Sequence, residues 1–284
     1  MKLIDLHVHS NCSDGTLTPT ELVDHAAALG LAAFALTDHD NTDGLWEAFT
    51  AAERAGVELV PGIEFSTEYL GTDIHIVGID FDWKAPAFQE RIDYYRSERV
   101  RRNQKMIDMM ADDGFDISYD QMVESFGESV WTRAHFAKFL LAKGYIKDIS
   151  EAFEKYIGDN CKYFIPREKV SPFEVVELIR EFDGIPILAH PFQYKFSDEV
   201  LRTLIEKLIQ SGLLGMEVYY STHTKEQCDY LQALVDEYHL APSGGSDFHG
   251  SNKPDIELGS GKNNLQIPYS ILEGLRKKHQ EARK

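Results

Sequence analysis

KLIDLHVH, at residues 2–9, is an apolar run that ends in two histidines, His7 and His9. A short run rich in Leu, Ile and Val favours a β-strand. Six later places repeat the pattern, in which a strand-like run ends in a side chain that can bind a metal. They are Asp38-His39, Glu64, His75, His190, Glu217 and Asp247-Phe248-His249. Strands that end this way bring their polar side chains to one rim of a parallel sheet, where α/β barrels place their chemistry.

The composition is typical of a soluble protein with a sizeable core. The chain has 284 residues, 43% of them hydrophobic, and a formal net charge of −18. That charge argues against a groove for duplex DNA, since such surfaces are usually basic, although bound divalent ions reverse the field inside a small site. Three separated cysteines without a CxxC motif predict a reduced, cytoplasmic protein. No run reaches the ~20 apolar residues of a membrane span, so we expect no membrane contact; the oligomeric state stays open.

Strand and helix patterns alternate through most of the chain. TPTE at 18–21 and SPFE at 171–174 are capping boxes with proline at the first helical position. Seven strand-like runs lie at 2–9, 31–37, 57–65, 73–79, 185–189, 213–220 and in the stretch that ends at Asp247. This βα alternation indicates a parallel sheet with helical crossovers. We therefore predict an α/β fold, a distorted seven-stranded (β/α) barrel.

Residues 88–162 interrupt the alternation, because they contain no convincing strand. A basic helical pattern at 91–110 is followed by two shorter apolar-periodic segments. We predict a helical insertion domain at 88–162 that caps the substrate site, with the barrel formed by 1–87 and 163–284. The alternative is one long crossover between two strands. The arginines of the basic pattern, which are typical of a solvated helix face, are Arg96, Arg99, Arg101 and Arg102.

The candidate ligands are imidazoles and carboxylates. Alternate residues of a strand face the same side but lie about 6.6 Å apart along it. We therefore expect the strand to end or kink near His9, so that both rings of HxH reach one metal, and the polar residues 10–15 permit this. A histidine inside a strand is more often a hydrogen-bonded core residue, so His75 is a candidate ligand only because other candidate ligands accompany it. The absence of thiolates argues against structural zinc or an iron–sulfur cluster. The mixed set suits Mn²⁺, Zn²⁺ or Fe²⁺, and closely spaced ions activate water and clamp a phosphoryl group.

Four ordered motifs closely resemble those of the PHP (polymerase and histidinol phosphatase) family. They are HVH at 7–9, TDHD at 37–40, AHP at 189–191 and SDFH at 246–249. The resemblance implies a seven-stranded β/α barrel with a trinuclear metal centre. By this resemblance one ion is held by His7, His9, Glu64 and Asp247, a second by Glu64, His75 and His190, and a third by Asp14, His39 and His249. Some relatives carry histidine where this chain has Asp14.

Within the family, a short chain with a helical insertion resembles the small nucleotide phosphatases that act on AMP or 3′,5′-nucleoside bisphosphates, and a related 5′–3′ exoribonuclease. WTRAHFA at 131–137 resembles the segment that reaches the substrate phosphate in those enzymes. We therefore expect Arg133 and His135 to contact the phosphate, although many relatives have proline in place of Ala134. The further candidates are His223 as a catalytic residue and Asp40, Tyr219 and Ser221 as pocket residues.

We predict a metal-dependent phosphoesterase, a phosphoric ester hydrolase. It would use three divalent ions (Mn²⁺, Zn²⁺ or Fe²⁺) and metal-activated hydroxide to remove a phosphate from AMP or a 3′,5′-nucleoside bisphosphate. Short RNA stays open as a substrate. The alternatives are a histidinol-phosphate phosphatase, a 5′–3′ exoribonuclease and a non-catalytic PHP module, against which the intact ligand set argues. Amidohydrolases also carry HxH on a barrel, but SDFH at 246–249 fits the PHP pattern better.

Overall fold

The computed structural model describes residues 2–127, 130–158, 161–165 and 170–284, and one seven-stranded sheet forms its centre. The strands, which lie side by side in chain order, are β1 Ile4–Val8, β2 Ala33–Leu36, β3 Glu58–Tyr69, β4 Thr72–Ile79, β5 Ile185–Leu188, β6 Gly215–Tyr220 and β7 Ala241–Gly245. A parallel bridge between Val8 and Phe248 joins the end of the last strand to the first. The His9 amide donates to the Phe248 carbonyl at 3.0 Å in the same place. The predicted distorted seven-stranded barrel is confirmed.

The direction of β4 differs from the prediction. The pairs among β1, β2 and β3 and among β5, β6 and β7 are parallel, whereas β4 is antiparallel to both neighbours. A tight turn with positive φ at Leu70 and Gly71 leads β3 directly into β4. The prediction of an all-parallel sheet is therefore wrong at this strand. The reversal places His75, near the start of β4, opposite Ser66 near the end of β3.

Ten α-helices lie in the described ranges. They are α1 Pro19–Ala28, α2 Gly44–Ala55, α3 Pro86–Asp112, α4 Tyr119–Phe126, α5 Arg133–Ala142, α6 Ile149–Lys155, α7 Pro172–Glu181, α8 Asp198–Ser211, α9 Lys225–Glu237 and α10 Ser270–Glu281. The predicted capping box of α1 is present, since Thr18 and Glu21 each accept from the other's amide. At α7 the Ser171 side chain instead accepts from the amide of Phe173. In the described ranges, no helix is long and apolar enough to cross a bilayer.

Two apolar clusters fill the barrel and its surround. Phe34 and Leu36 of β2 belong to an outer cluster that also contains side chains of α1, α2, α7, α8 and α9. Ala33 and Ala35 of the same strand belong to an inner cluster, to which α10 contributes Leu272. Successive side chains of a strand point to opposite faces. The strands are therefore buried on both faces, as a sheet covered by crossover helices requires, and the rim is left to the polar residues that follow them.

A third apolar cluster joins α3, α4, α5 and α6 with residues up to Tyr163. Its members include Met106 and Phe136, and no barrel strand contributes to it among the described residues. The predicted insertion at 88–162, of which 128–129 and 159–160 lie outside the described residues, stays a prediction as a domain. The first part of α3 packs in the outer barrel cluster through Phe88, so one long helix connects the two packing units.

Candidate metal centre

All nine predicted metal ligands meet at the rim where β1, β2, β5, β6 and β7 end. Four overlapping groups contain them, and within each group the ligand atoms lie no more than 4.8 Å apart. The groups are His9, Asp14, His39 and His249; His7, Glu64 and His190; His7, His9 and Asp247; and His39, Glu64 and His75. Every member is buried except His75, which is partly exposed. Residues that are up to 242 positions apart in the chain therefore form one polar cluster.

Glu64 lies at the middle of this cluster. Its Oε1 is 2.8 Å from Nδ1 of His75 and 3.0 Å from Nε2 of His190. Its Oε2 is 3.0 Å from Nδ1 of His39 and 3.3 Å from Nε2 of His9. The two carboxylate oxygens thus face different imidazoles, which is the arrangement needed for one carboxylate to bridge two ions.

The electrostatics of the cluster favour bound cations. Burial opposes the charge of Glu64, yet His75, His7 and His39 hold its pKa well below the usual range. Burial lowers the pKa of His39 to about 3, so this imidazole is neutral at pH 7. Burial also opposes protonation of His75, but Glu64 and Asp73 raise its pKa to about 10. A divalent ion therefore meets an ionised carboxylate and has to displace a proton from His75.

The backbone is adapted to bring these side chains close together. A Cβ atom on Gly245 would lie 2.3 Å from the Cβ of His7, so only glycine lets β7 approach β1 at this point. His190 and Asp247 have φ angles of 26° and 56°, in the region that residues with side chains rarely adopt. Such conformations cost of order 1–3 kcal/mol each and concentrate at functional sites.

The unpaired polar atoms of the cluster fit divalent ions. His7 Nε2, His9 Nε2, His39 Nδ1 and Asp14 Oδ1 are buried, and none has a hydrogen-bond partner among the described residues. A buried polar atom without a partner costs about 1–3 kcal/mol, which coordination to a metal removes. Imidazole and carboxylate ligands suit Mn²⁺, Fe²⁺ and Zn²⁺. The residues present therefore form a suitable site for metal ions.

Neighbouring acceptors fix which ring nitrogens are free to bind a metal. Nδ1 of His7 donates to Oε1 of Glu217 at 2.8 Å, which leaves the lone pair on Nε2 directed at the cluster. The other oxygen of Glu217 accepts from the His190 amide at 2.7 Å. Nδ1 of His249 donates to the Asp247 carbonyl at 2.8 Å, which again leaves Nε2. Acceptors of this kind orient metal-binding histidines and make them more basic.

A family model described as the PHP domain matches residues 5–170. The chain belongs to the PHP domain family. It is 37% identical over 271 residues to a 5′–3′ exoribonuclease of Haemophilus influenzae, an alignment that covers 95% of this chain and 97% of that protein. It is 34% identical over 264 residues to a 3′,5′-nucleoside bisphosphate phosphatase of Chromobacterium violaceum, with 91% of each chain covered.

Two solved structures share the fold of this PHP chain over nearly its whole length. One, from Bifidobacterium adolescentis, is named provisionally as a metal-dependent phosphoesterase. Its TM-score is 0.84 at 29% identity, and the match covers 98% of this chain and 96% of that one. The other is an amidohydrolase from Chromobacterium violaceum with bound sulfate and no metal. Its TM-score is 0.85 at 32% identity, and the coverage is 97% of this chain and 96% of that one.

These relatives confirm two of the predictions. The resemblance to the PHP family is confirmed, and so is the prediction of a phosphoric ester hydrolase of the metal-dependent phosphoesterase class. The His, Asp and Glu groups of this PHP chain can hold metal ions. The individual roles of the nine residues stay predictions.

Two arginines of α3 do not lie on a solvated face. Arg99 and Arg102 are only 3% and 7% exposed, whereas the Arg101 side chain is 59% exposed. Residues three apart on a helix share a face, and here that face meets the barrel rim. Arg99 donates through Nε to Asp40 at 2.9 Å and through Nη2 to Ser66 at 2.8 Å. The prediction of a solvated basic face is therefore wrong for Arg99 and Arg102.

Two cavities flank the cluster, and both carry basic side chains. The first, of about 140 Å³, is lined by His39 and His75 together with Arg99, Arg102 and Arg133. The second, of about 160 Å³, is lined by Glu64, His190 and Asp247 together with Gln193, Lys138 and Lys253. The Lys253 ammonium lies 2.5 Å from Oδ2 of Asp247. Five basic side chains therefore line the two cavities at this rim.

The insertion brings Arg133 and Thr132 to the rim. Nη2 of Arg133 donates to Oδ2 of Asp73 at 2.9 Å, and the same oxygen lies 3.6 Å from Nε2 of His75. Thr132 donates from its hydroxyl to Oδ2 of Asp14 at 2.9 Å, a contact that the sequence did not predict. His135 caps α5 by accepting the Thr132 amide on Nδ1 at 3.0 Å, and burial lowers the pKa of His135 to about 4.

Four predicted pocket residues have structural partners in this PHP chain. Asp40 accepts from Arg99, as described above, and from the Ser66 amide, so it ties α3 to β3. Ser221 donates to the Ser246 carbonyl at 2.6 Å. His223 donates from Nδ1 to a backbone carbonyl of β6 at 3.0 Å. Tyr219 packs against both barrel clusters. Among the described residues that line the two cavities, none of the four is present.

Tyr220, rather than Tyr219, reaches the centre. Its hydroxyl donates to Oδ2 of Asp247 at 2.6 Å. The register between β6 and β7 shifts between Glu217 and Tyr219, and such an irregularity reverses the alternation of side chains along the strand. Tyr220 therefore lies on the same side as Glu217. Strict alternation from Glu217 would place Tyr219 on that side instead.

Replacing Glu217 with glutamine is expected to weaken metal binding by about 10–100-fold, the usual cost of losing a partner that orients a ligand. The amide keeps the size of the side chain but removes the charge that holds His7 in its tautomer. Metal affinity can be measured by competition with a chelating indicator. The exposed Glu226 supplies the matched control, since Glu226→Gln makes the same change outside the centre. Equal affinities for the two variants would contradict a role for Glu217 in orienting His7.

Proposed function

We propose that this PHP chain hydrolyses the phosphate monoester of a nucleotide, AMP or a 3′,5′-nucleoside bisphosphate, at a centre with three divalent ions. One observation carries the proposal: nine imidazoles and carboxylates converge within a ring of arginines and lysines. The first set suits metals, and the second suits the oxygens of a phosphate. Together they favour a small phosphorylated substrate over a peptide or a neutral amide.

The proposed assignment of ligands is the one that the PHP resemblance implies. One ion is assigned to His7, His9, Glu64 and Asp247; a second to Glu64, His75 and His190; a third to Asp14, His39 and His249. Mn²⁺, Zn²⁺ and Fe²⁺ all suit this set. When bound, such ions activate water and neutralise charge on the phosphoryl oxygens.

The side chains of the insertion would bind the phosphate. Arg133 and Arg102 line the cavity that contains His75, from which their guanidinium groups would donate to oxygens that the ions do not reach. Donors fixed in advance at a site screened from water stabilise developing charge strongly. Asp73 positions Arg133 through the 2.9 Å hydrogen bond. The released phosphate takes its new oxygen from water, and no phosphorylated side chain is formed.

A second candidate, a 5′–3′ exoribonuclease, is favoured by a further cavity. This cavity, of about 350 Å³, is lined by Tyr220, Asp247 and Lys253 and extends to Lys262. Asp247 and Lys253 also line the cavity at the metal centre, so the two are adjacent. The two lysines would attract a second phosphate, which a short RNA and a 3′,5′-nucleoside bisphosphate both have and AMP lacks.

A phosphate-release and product screen tests the proposal. The substrates are AMP, a 3′,5′-nucleoside bisphosphate, a short RNA and histidinol phosphate, each with Mn²⁺, Zn²⁺ or Mg²⁺. We expect phosphate release from at least one nucleotide, and loss of this activity when a chelator removes the metal. Mononucleotide products from RNA would favour the exoribonuclease, and release from histidinol phosphate alone would favour that phosphatase. No hydrolysis of any ester by metal-loaded protein would overturn the proposal.

A further inference from the structure

A cavity of about 280 Å³ lies between α3, α4 and the residues that precede α5. Helix α3 contributes Arg96, Arg99, Val100 and Asn103, and Trp131 closes the opposite side. Arg99 also lines the cavity of about 140 Å³ that contains His39 and His75. The two cavities therefore share a wall. This larger cavity takes no part in the metal centre described above.

Aromatic rings and guanidinium groups form the walls of this cavity. Tyr119 and Trp131 both line it, and their ring centroids are 5.0 Å apart with an interplanar angle of 51°. Arg96 and Arg99 stand on the α3 side. Aromatic rings and the planes of arginine side chains are the surfaces on which nucleic-acid bases stack. The cavity is thus suited to a flat, partly polar ring system.

Asn103 supplies a polar group with an unused acceptor. Its Nδ2 donates to the Trp131 carbonyl at 3.0 Å, and this bond fixes the orientation of the amide, because a carbonyl oxygen accepts and does not donate. The amide oxygen Oδ1 is buried and has no hydrogen-bond partner among the described residues. Leaving such an oxygen unpaired is costly. An N–H group of a bound ring would satisfy it.

The position of the cavity relates it to the metal centre. Trp131 directly precedes Thr132, whose hydroxyl donates to Asp14 at 2.9 Å. On the other wall, Arg99 contacts Asp40, the neighbour of His39 in the chain. A ring attached through a sugar to a phosphate at the metal centre would reach this cavity past Arg99, the residue that lines both cavities.

The geometry points to a nucleobase subsite in this cavity, which takes the base of the same nucleotide whose phosphate lies at the metal centre. The inference rests on the proposed function and extends it, because it makes the base a determinant of substrate choice. Tyr119 and Trp131 would stack with the base, and Asn103 Oδ1 would accept from one of its N–H groups. Esters without a base gain nothing from these contacts.

Filling the cavity tests the inference. Val100 is half exposed, so Val100→Trp places a ring in the cavity with little cost to folding. We expect the ratio of kcat/KM for AMP to that for ribose 5-phosphate to fall about tenfold or more, the scale of one base-stacking contact. Met109→Trp puts the same ring on an exposed position of α3 outside the cavity. This control should keep the ratio of the unaltered protein.

A second variant covers the case in which the added ring disturbs α3. Tyr119→Ala removes one stacking surface at a partly exposed position, and Tyr119→Phe restores it. The ratio should fall with alanine and recover with phenylalanine. An unchanged ratio in both Val100→Trp and Tyr119→Ala would overturn the inference.

A binding measurement separates this inference from the proposed function. Adenosine carries the base but no phosphate, so isothermal calorimetry with adenosine reports the subsite without any hydrolysis. Binding to the unaltered protein that Val100→Trp weakens about tenfold supports the subsite even if no ester is hydrolysed, whereas no adenosine binding to the active enzyme overturns the subsite and leaves the phosphoesterase standing.

Discussion

Glu64→Ala is expected to lower the metal content of the loaded protein by about two ions and to lower kcat/KM by about 10³-fold or more, since each metal supplies several kcal/mol of charge stabilisation. The reason is the position of this one carboxylate. Its two oxygens lie within 3.3 Å of nitrogens of His7, His9, His39, His75 and His190. Without it, His39, His75 and His190 lose the carboxylate that they share. Elemental analysis and initial rates on the same preparation measure both effects.

Two further variants make the test of Glu64 specific. Asp14 contacts His249 at 3.1 Å on one side of the cluster, so Asp14→Ala should lose about one ion and less activity. Glu64→Gln keeps the side-chain volume, and a melting temperature close to that of the unaltered protein would show that the fold survives. Full metal content in Glu64→Ala would contradict the bridging role.

The sequence predicts the strands because their chemistry is local. KLIDLHVH at 2–9 contains both the apolar run that makes a strand and the polar residues near its end, and His190 likewise follows β5, whereas β3 continues past Glu64 to Tyr69. The direction of β4 was not predictable in this way. It depends on the turn at Leu70 and Gly71, which has a weak sequence pattern compared with an Asn-Gly hairpin. The apolar pattern therefore predicts that β4 is a strand but does not predict its direction.

At the metal centre, too, the local sequence predicts some residues, whereas contacts between distant parts of the chain decide the roles of others. The structure brings together the nine residues taken from strand ends and family motifs. It also adds Glu217, Thr132 and Tyr220, whose roles depend on contacts with residues distant in the chain. Glu217 had a signal, since it is a carboxylate within the apolar run of β6, but nothing local shows that it faces His7. Tyr220 reaches the centre because of the register shift in β6, and no sequence pattern predicts that shift.

The docking of the insertion was the least predictable part. A helix with several arginines has a solvated face in most proteins, and only the contact with Asp40 and Ser66 shows that α3 turns Arg99 inward. The Arg99 guanidinium, which by itself favours water, is buried here because it meets the Asp40 carboxylate and the Ser66 hydroxyl. Such pairing joins residues 59 positions apart. The apolar periodicity of α3 therefore does not predict which of its arginines are buried.

Arg133→Ala is expected to lower kcat/KM by ~10²-fold or more, the scale seen when one transition-state donor is lost, while metal content stays unchanged. Arg133 lies at the start of α5 beside the cavity that contains His75, and its guanidinium is held by Asp73 and packs 5.1 Å from the Phe164 ring. An arginine held in this way pays little entropy when it binds phosphate. Steady-state rates on AMP and elemental analysis check the two parts of the prediction.

The controls separate phosphate binding from a loss of positive charge or of structure. Arg101→Ala removes an exposed arginine of the same insertion and should leave the rate unchanged. Arg133→Lys keeps the charge but not the two-point geometry of a guanidinium, so its rate should fall between those of the other variants. Asp73→Asn loosens Arg133 without removing it, and its effect should appear mainly in kcat if the donor acts in the transition state. Near-normal activity of Arg133→Ala on every accepted ester would show that this residue joins the insertion to β4 through Asp73 and has no part in binding the phosphate.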